Sequence, residues 1–421
     1  MTQDLAGQDA LASLLTGGGI RAVYQPIVEL ATGAVVGYEA LARGPQGSAL
    51  ERPDLLFAAA AEAGRTAELD WRCRTAALAG ADAAGLESPY TLFVNVEPAA
   101  LGGDAPADFA ALAARLAGRL SVVVEFTERA LTAHPARLLA AAETVRALGW
   151  RIALDDIGAE RASLALMPFL APDVLKLDLS LVQQRTTIEI AEVVSAVNAQ
   201  AERTGAVVLA EGIETPEHAR LAASMGARLG QGWLFGRPGA LPAPLPHLDS
   251  DSSAVGLLRS ASRLRTETPY DLVARSRTVQ RSTKPLLIAM SKHLERQALV
   301  LGGPAVVAAT FQHVKHFTPD TLRRYTMLAE SAELVVALGE GMPSTPAPGV
   351  LGAAFDPTDP IVDEWSIVVV GPHFAGAVLA KDLGDGGPDS ERRFDYVVTY
   401  DRDLVLAAAT ALLRRVVPAV G

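Results

Sequence analysis

Over its first 240 or so residues the chain alternates short β-branched, apolar runs with alanine- and leucine-rich stretches at helical spacing. The strand candidates are "AVYQPIVEL", "AVVGYEALAR", "TLFVNVEP", "VVVEFTE", "RIALDD", "DVLKLD", "AVVLAEGIE" and "LGQGWLFG". Strands separated by amphipathic helices predict a parallel sheet with crossover helices, and eight of them in about 220 residues predict an α/β fold closed as a TIM-like (β/α)₈ barrel. Only Ala31, Thr32 and Gly33 separate the first two runs. That gap is too short for a crossover, so the pair reads as a hairpin with an antiparallel first strand.

The pattern breaks after Pro238, where "GALPAPLPHLDSDSSA" is rich in proline, serine and aspartate and reads as a linker. The expected division is an N-terminal extension over 1–18, a barrel over 19–245, a linker over 246–256 and a smaller α/β domain over 257–418. In that last part "AVVAATFQ" and "WSIVVVGP" read as strands, and "DTLRRYTMLAESAELVVAL" as a helix. Phe311, Gln312, Trp365, Pro372 and Phe394 are candidates to line a pocket there, although strand aromatics more often build core.

Composition narrows the chemistry. Half of the 421 residues are hydrophobic, enough for a sizeable core. The single cysteine, Cys73, has no internal disulfide partner and reads as a small apolar residue in a reducing compartment. "MTQDLAGQDALASLLTGGG" carries acid where an export signal needs positive charge, and no apolar run reaches the length of a membrane span, so a cytoplasmic protein without a membrane partner is expected. A formal net charge of -11 disfavours a nucleic-acid polymer as partner, and the arginines of "LLRSASRLRTETPYDLVARSRTVQRS" read as a solvated face or an inter-domain contact.

Polar residues recur where the barrel strands end: Glu39, Asn95, Glu125, Asp155, Asp156, Lys176, Asp178, Glu211 and Glu214. One acid at a strand end is usually a turn former or a cap. A barrel, however, gathers its C-terminal strand ends at one mouth, where so many carboxylates repel one another unless cations sit among them. Histidine stands at none of these ends, so oxygen ligands favour Mg²⁺ or Mn²⁺ over zinc. Two such ions bridged by an aspartate would activate water and clamp a phosphodiester. Lys176, the only lysine before Lys284, lies in the apolar run "VLKLDLSLV". Beside carboxylates it should stay protonated, a compact cation where the chain otherwise uses arginine.

These residues carry a resemblance to the EAL domain, the cyclic di-GMP phosphodiesterase module of bacteria. The matching pieces run in order: "YQPIV" from Tyr24, "EALAR" from Glu39, "VNVEP" around Asn95, "EFTE" from Glu125, "DDIG" from Asp155, "KLD" from Lys176, "AEGIE" from Ala210 and "QGWLFGRP" from Gln231. The resemblance implies hydrolysis of cyclic di-GMP to linear pGpG by a homodimer. It assigns Glu39, Asn95, Glu125 and Asp155 to one metal, with Asp155 and Asp156 contributing to the second. It gives Lys176, Glu211, Asp156 and Gln231 to catalysis, and Gln25, Leu41, Arg43, Asp178 and Glu214 to the substrate and its supporting shell. Glu128 would steady the loop after Asp156. That loop departs from the family's D-D-F-G-(S/T)-G-(Y/F)-S-S: here it reads "DDIGAERAS", with Glu160 for a glycine and Arg161 for an aromatic residue.

The last part of the chain resembles the DICT sensory module, through "KPLLIAMSKHLE", "ATFQHVKHFTPDTLRRY", "WSIVVVGPHFAGAVLAKD" and "RRFDYVVTYDRDLV". The signal it receives is open. The leading expectation is a phosphodiesterase modulated by this domain, the alternative a cyclic di-GMP receptor without useful turnover. A lyase barrel using Lys176 as base with one Mg²⁺ fits the paired aspartates poorly.

Overall fold

A computed structural model of the chain describes residues 11–15, 18–97, 100, 105–127, 135–159, 162–184, 187–246, 267–385 and 388–416. It divides into two units, the first dominated by the barrel and the second by a separate sheet.

The barrel closes through β1 (Arg21–Glu29), β2 (Val35–Arg43), β3 (Thr91–Asn95), β4 (Ser121–Phe126), β5 (Arg151–Ile157), β6 (Val174–Leu177), β7 (Val207–Ala210) and β8 (Leu229–Gln231). Each run expected to be a strand supplies one. β1 is antiparallel to both β2 and β8, as the three-residue gap after Leu30 requires, and every other neighbouring pair is parallel. Strands covered on both faces tolerate no polar alternation, which is why β6 and β7 are buried at every residue. Local signals set the helix ends: the Thr187 hydroxyl accepts from the Ile190 N–H to start Ile188–Thr204, and Gly205 at φ 76 ends it.

The second unit holds a mixed seven-stranded sheet. Its strands are β9 (Gln280–Thr283), β10 (Val306–His313), β11 (Leu334–Glu340), β12 (Val350–Ala354), β13 (Glu364–Val370), β14 (Ala375–Asp382) and β15 (Arg393–Thr399), in the order β12-β11-β10-β13-β14-β15-β9. The run expected as one helix over 320–338 divides. Pro319–Ser331 is helical, whereas Leu334–Glu340 is the buried strand β11, parallel to β10. Five apolar residues in a row fit a buried strand as well as a helix, and here burial between β10 and β12 decides. Phe394 and the rings of Tyr325 and Tyr396 belong to the core, with Trp365 packed against it. The described arginines of the basic stretch are paired: Arg275 with Glu267, Arg277 with Asp401 and Arg281 with Asp395.

Glu364 opens β13 fully buried and accepts a hydrogen bond from the Tyr270 N–H at 3.0 Å, tying the helix Pro269–Ala274 to the sheet. Burial lifts its carboxyl from 4.5 to about 7. The folded value lies above the unfolded one, so with respect to this group stability is full below pH 4.5 and is lost as pH rises through 7. A lift of this size is worth about 3 kcal/mol. Glu364→Gln keeps an acceptor without the charge, so its thermal midpoint should fall less than the wild type's between about pH 6 and about pH 8.

Candidate active site

Lys176 is the centre of the barrel mouth. It is 1% exposed, and its Nζ lies 2.7 Å from Glu211 Oε1, 2.9 Å from Glu125 Oε1, 2.9 Å from Asp155 Oδ1 and 3.8 Å from Glu39 Oε2. Five different strands or strand ends thus deliver one ammonium and four carboxylates to one point. Sheet register explains much of it: Gln25 on β1 stands opposite Glu39 on β2, and Asn95 on β3 opposite Glu125 on β4. Asn95 Nδ2 donates to Glu39 Oε1 at 3.0 Å, and Gln231 Nε2 donates to Glu39 Oε2 at 2.6 Å and to Gln25 Oε1 at 3.2 Å.

Asp156 joins by a break in the strand. Successive side chains of a regular strand point to opposite faces, so Asp155 and Asp156 should diverge. The β5 pairing with β6 slips between Leu154 and Ile157, and Asp156 sits at φ 55. This bulge turns the second carboxylate back to the mouth, where Asp155, Asp156 and Glu211 offer oxygens within 4.8 Å of one another. Aspartate carries a left-handed conformation at lower cost than most residues. Two residues on, Gly158 at φ 106 lies against Leu181, which any Cβ would meet at 2.6 Å.

Charge accounting gives the site its character. Glu39, Glu125, Asp155, Asp156 and Glu211 face a single ammonium, a formal charge of −4 when all are ionised. Burial alone would depress Lys176, yet Asp155, Glu125, Glu211 and Glu39 together hold it well above the usual lysine range. Burial, then the neighbouring Glu39 charge, pushes Glu125 well above the carboxylate range, and burial lifts Glu211 to about 8. Glu39 goes the other way: burial opposes its charge, but Lys176, Gln231 and Asn95 hold its carboxyl below the ordinary value. Glu125 Oε2 and Gln231 Oε1 are buried with no hydrogen-bond partner among the described residues.

This oxygen-rich donor set, with unspent lone pairs and a charge that two divalent ions would cancel, fits Mg²⁺ or Mn²⁺. Because burial raises both Glu125 and Glu211 in the metal-free chain, binding of Mn²⁺ at about pH 7 should release protons, up to about two per chain. Calorimetry in buffers of different ionisation enthalpy measures that number.

The remaining candidates take other places. Leu41 and Arg43 follow Glu39 at alternate positions of β2 and line a 340 Å³ groove together with Asn95. Asp178 caps the short helix Leu179–Gln183, accepting from the Ser180 N–H at 2.9 Å. Glu214 is exposed, and its N–H donates to His218 Nδ1 at 3.3 Å. Glu128, Glu160 and Arg161 lie outside the described residues.

One pair was not foreseen. Asp70 and Arg74, on the helix Thr66–Ala83, form a buried ion pair that lines the same groove. Asp70 Oδ1 accepts the Glu97 N–H at 2.9 Å, fixing the chain just beyond Asn95, and the guanidinium stacks on Trp71 at 3.7 Å. The signal was an acid and a base four apart inside "AELDWRCRTAALAG", a spacing that exposed helix faces share. Cys73 between them is partly buried, and burial pushes its thiol up to about 12, as befits an apolar role.

Comparison with known families decides the kinship. The EAL domain profile matches residues 8–238, more than half of the chain. The chain belongs to the EAL family. Behind its EAL domain, residues 268–383 match DICT, described as a sensory domain in diguanylate cyclases and two-component systems. Among curated relatives, the EAL chain is 32% identical over 250 residues to the cyclic di-GMP phosphodiesterase RocR of Pseudomonas aeruginosa, covering 56% of this chain and 64% of RocR. It is 32% identical over 252 residues to the cyclic di-GMP phosphodiesterase NbdA of the same organism, covering 58% of this chain and 32% of NbdA. It therefore spans less than two-thirds of either relative. Of solved structures, the manganese and cyclic di-GMP complex of Klebsiella pneumoniae BlrP1 at pH 9.0 is 32% identical, with a TM-score of 0.47 over 53% of this chain and 57% of that one.

Proposed function

We propose that the EAL barrel hydrolyses cyclic di-GMP to linear pGpG with two divalent cations, Mg²⁺ or Mn²⁺, and that the DICT domain modulates the rate. The observation that carries this reading is the convergence of four carboxylates on the buried ammonium of Lys176, with Asp156 beside Asp155 and Glu211. Curated relatives named as cyclic di-GMP phosphodiesterases support the substrate.

Glu39, Asn95, Glu125, Asp155 and Asp156 are the residues to hold the cations, which when bound lower the pKa of water and neutralise a phosphodiester. The chain's own groups do the rest. Glu211, whose carboxyl gains a proton near pH 8 without metal, is placed to accept one from the attacking water. Lys176, fixed by its carboxylates, stabilises negative charge growing on the phosphoryl oxygens. Gln231, held between Glu39 and Gln25, orients the water or the substrate, and Arg43 and Leu41 contact the nucleotide in the groove. Asp178 and Glu214 support these from behind the mouth, and Glu128 steadies the loop after Asp156.

We place the protein in the cytoplasm as a homodimer, with neither a membrane nor a nucleic-acid polymer as partner. No helix among the described residues is long and apolar enough to cross a membrane.

A receptor reading rests on one observation, the run "GAERAS" after Asp156. Steady-state turnover by the whole chain with Mn²⁺ separates the two. Binding of cyclic di-GMP without turnover, with activity appearing in Glu160→Gly combined with Arg161→Phe, would favour the receptor.

A further inference from the structure

The sheet of the second unit carries a 430 Å³ cavity that the barrel chemistry does not use. Its wall is aromatic, built from Phe311 on β10, Trp365 on β13 and Tyr325 on the helix Pro319–Ser331. The Phe311 and Tyr325 rings meet edge to face, their centroids 5.3 Å apart. One polar group in this wall is spare. Ser291 is 7% exposed, and its buried hydroxyl has no hydrogen-bond partner among the described residues. A volume of this size, with an aromatic wall and a rim of charged and polar side chains, suits a small molecule that carries a ring and a polar group.

The charges at the rim do not cancel. Arg324 is engaged by Glu295 at 2.8 Å and by Asp320, and Lys284 by Asp389. Lys292 reaches Asp320 only at 3.8 Å, where two arginines already pair with it. Lys315 is exposed and has no ion pair among the described residues. Beside it, burial first, then Lys284, Lys315 and Arg392, hold His316 below the ordinary range despite its hydrogen bond with the Phe311 carbonyl. Gln312, also on the rim, stands at φ 57 in a break of the β10 register, and its side chain is tied to Asp363, Asp382 and Arg392. Non-glycine backbone in this region persists where the surroundings enforce it, often at a ligand clamp.

We propose that this cavity binds a small aromatic monoanion, its ring between Phe311, Tyr325 and Trp365, its anionic group paired with Lys315 and a hydrogen bond accepted from Ser291 Oγ. The aromatic wall selects the ring, and Lys315, unpaired among the described residues, selects one negative charge. The occupant is a signal molecule distinct from the barrel's substrate, so this site stands whatever the barrel turns over.

Calorimetric titration of the whole chain with three probes sharing one ring, 2-naphthylacetate, 2-naphthylmethanol and 2-naphthylmethylamine, tests it. The acetate should bind at one site per chain, about tenfold or more tighter than the alcohol, with the amine weakest. Lys315→Glu, an exposed change that leaves the fold intact, should weaken the acetate about tenfold and leave the alcohol unchanged. Ser291→Phe, which fills the cavity, should abolish binding of both. Absence of binding by all three at millimolar concentration, equal affinity for acetate and amine, or an acetate affinity untouched by Lys315→Glu overturns the proposal.

Discussion

Lys176→Met is expected to lower turnover of cyclic di-GMP by about a thousandfold or more, the range seen when an electrostatic or proton-handling group is removed from an active site. The substitution keeps the length of the side chain and removes its charge. Without metal it also strips the only cation, among the described residues, from contact with Glu39, Glu125, Asp155 and Glu211. Breaking a buried pair in this way typically costs about 3–5 kcal/mol. Protonation of the carboxyls recovers part of that cost, so the metal-free variant should melt lower at high pH than at low pH, and saturating Mn²⁺ should restore much of its midpoint. Lys176→Arg is the sharper test. Four carboxylate oxygens crowd a single nitrogen at 2.7 to 3.8 Å, a volume that suits an ammonium and not a planar fork. Arginine should cost about a hundredfold in kcat even though the charge is kept, and full activity would remove the role given to this lysine.

Asp156→Gly should move stability and activity in opposite directions. At φ 55 glycine relieves the strain that aspartate bears and removes one of the crowded carboxylates, against the greater entropy that glycine loses on folding. The net effect on the metal-free chain is a midpoint equal to or above the wild type's, by up to about 1 kcal/mol. Activity should fall about a hundredfold or more where, as proposed, Asp156 holds one of the cations. Asp156→Asn, whose side chain also tolerates the left-handed region, should fold as the wild type does and lose comparable activity. Thermal melts in chelator, paired with product formation in Mn²⁺, read both halves. A glycine variant that melts several degrees lower would contradict the bulge as the source of the site's geometry.

How much of this was legible beforehand follows from which interactions decide each feature. The barrel strands were readable because parallel strands are buried on both faces, so "VVVEF" and "VLKL" stand out as apolar runs. Glu39, Glu125 and Lys176 were readable for the complementary reason: each interrupts such a run at a place where burial would otherwise forbid a charge. The meeting of Asp155 with Asp156 was expected from the paired acids and the family resemblance, but not its means: alternation places neighbours on opposite faces, and a bulge with a left-handed residue brings them together. Asp70 and Arg74 stayed hidden because helix spacing alone does not say which face is covered. Leu334–Glu340 was read as helix because a short apolar run carries no period of its own, and pairing with β10 and β12 settled it. In each miss the deciding contact lies far away in sequence or in a backbone conformation that composition does not encode.

By the function proposed above, the mouth built around Lys176 cleaves a phosphodiester with divalent cations. Incubating the whole chain with cyclic di-GMP in ¹⁸O-labelled water, with Mn²⁺ or with chelator, and resolving the products by chromatography and mass spectrometry tests it in one measurement. The expected product with Mn²⁺ is linear pGpG carrying one labelled oxygen on its terminal phosphate, and with chelator the substrate should stay intact. Intact cyclic di-GMP in both samples, recovered from a chain that binds it, would rule out this activity.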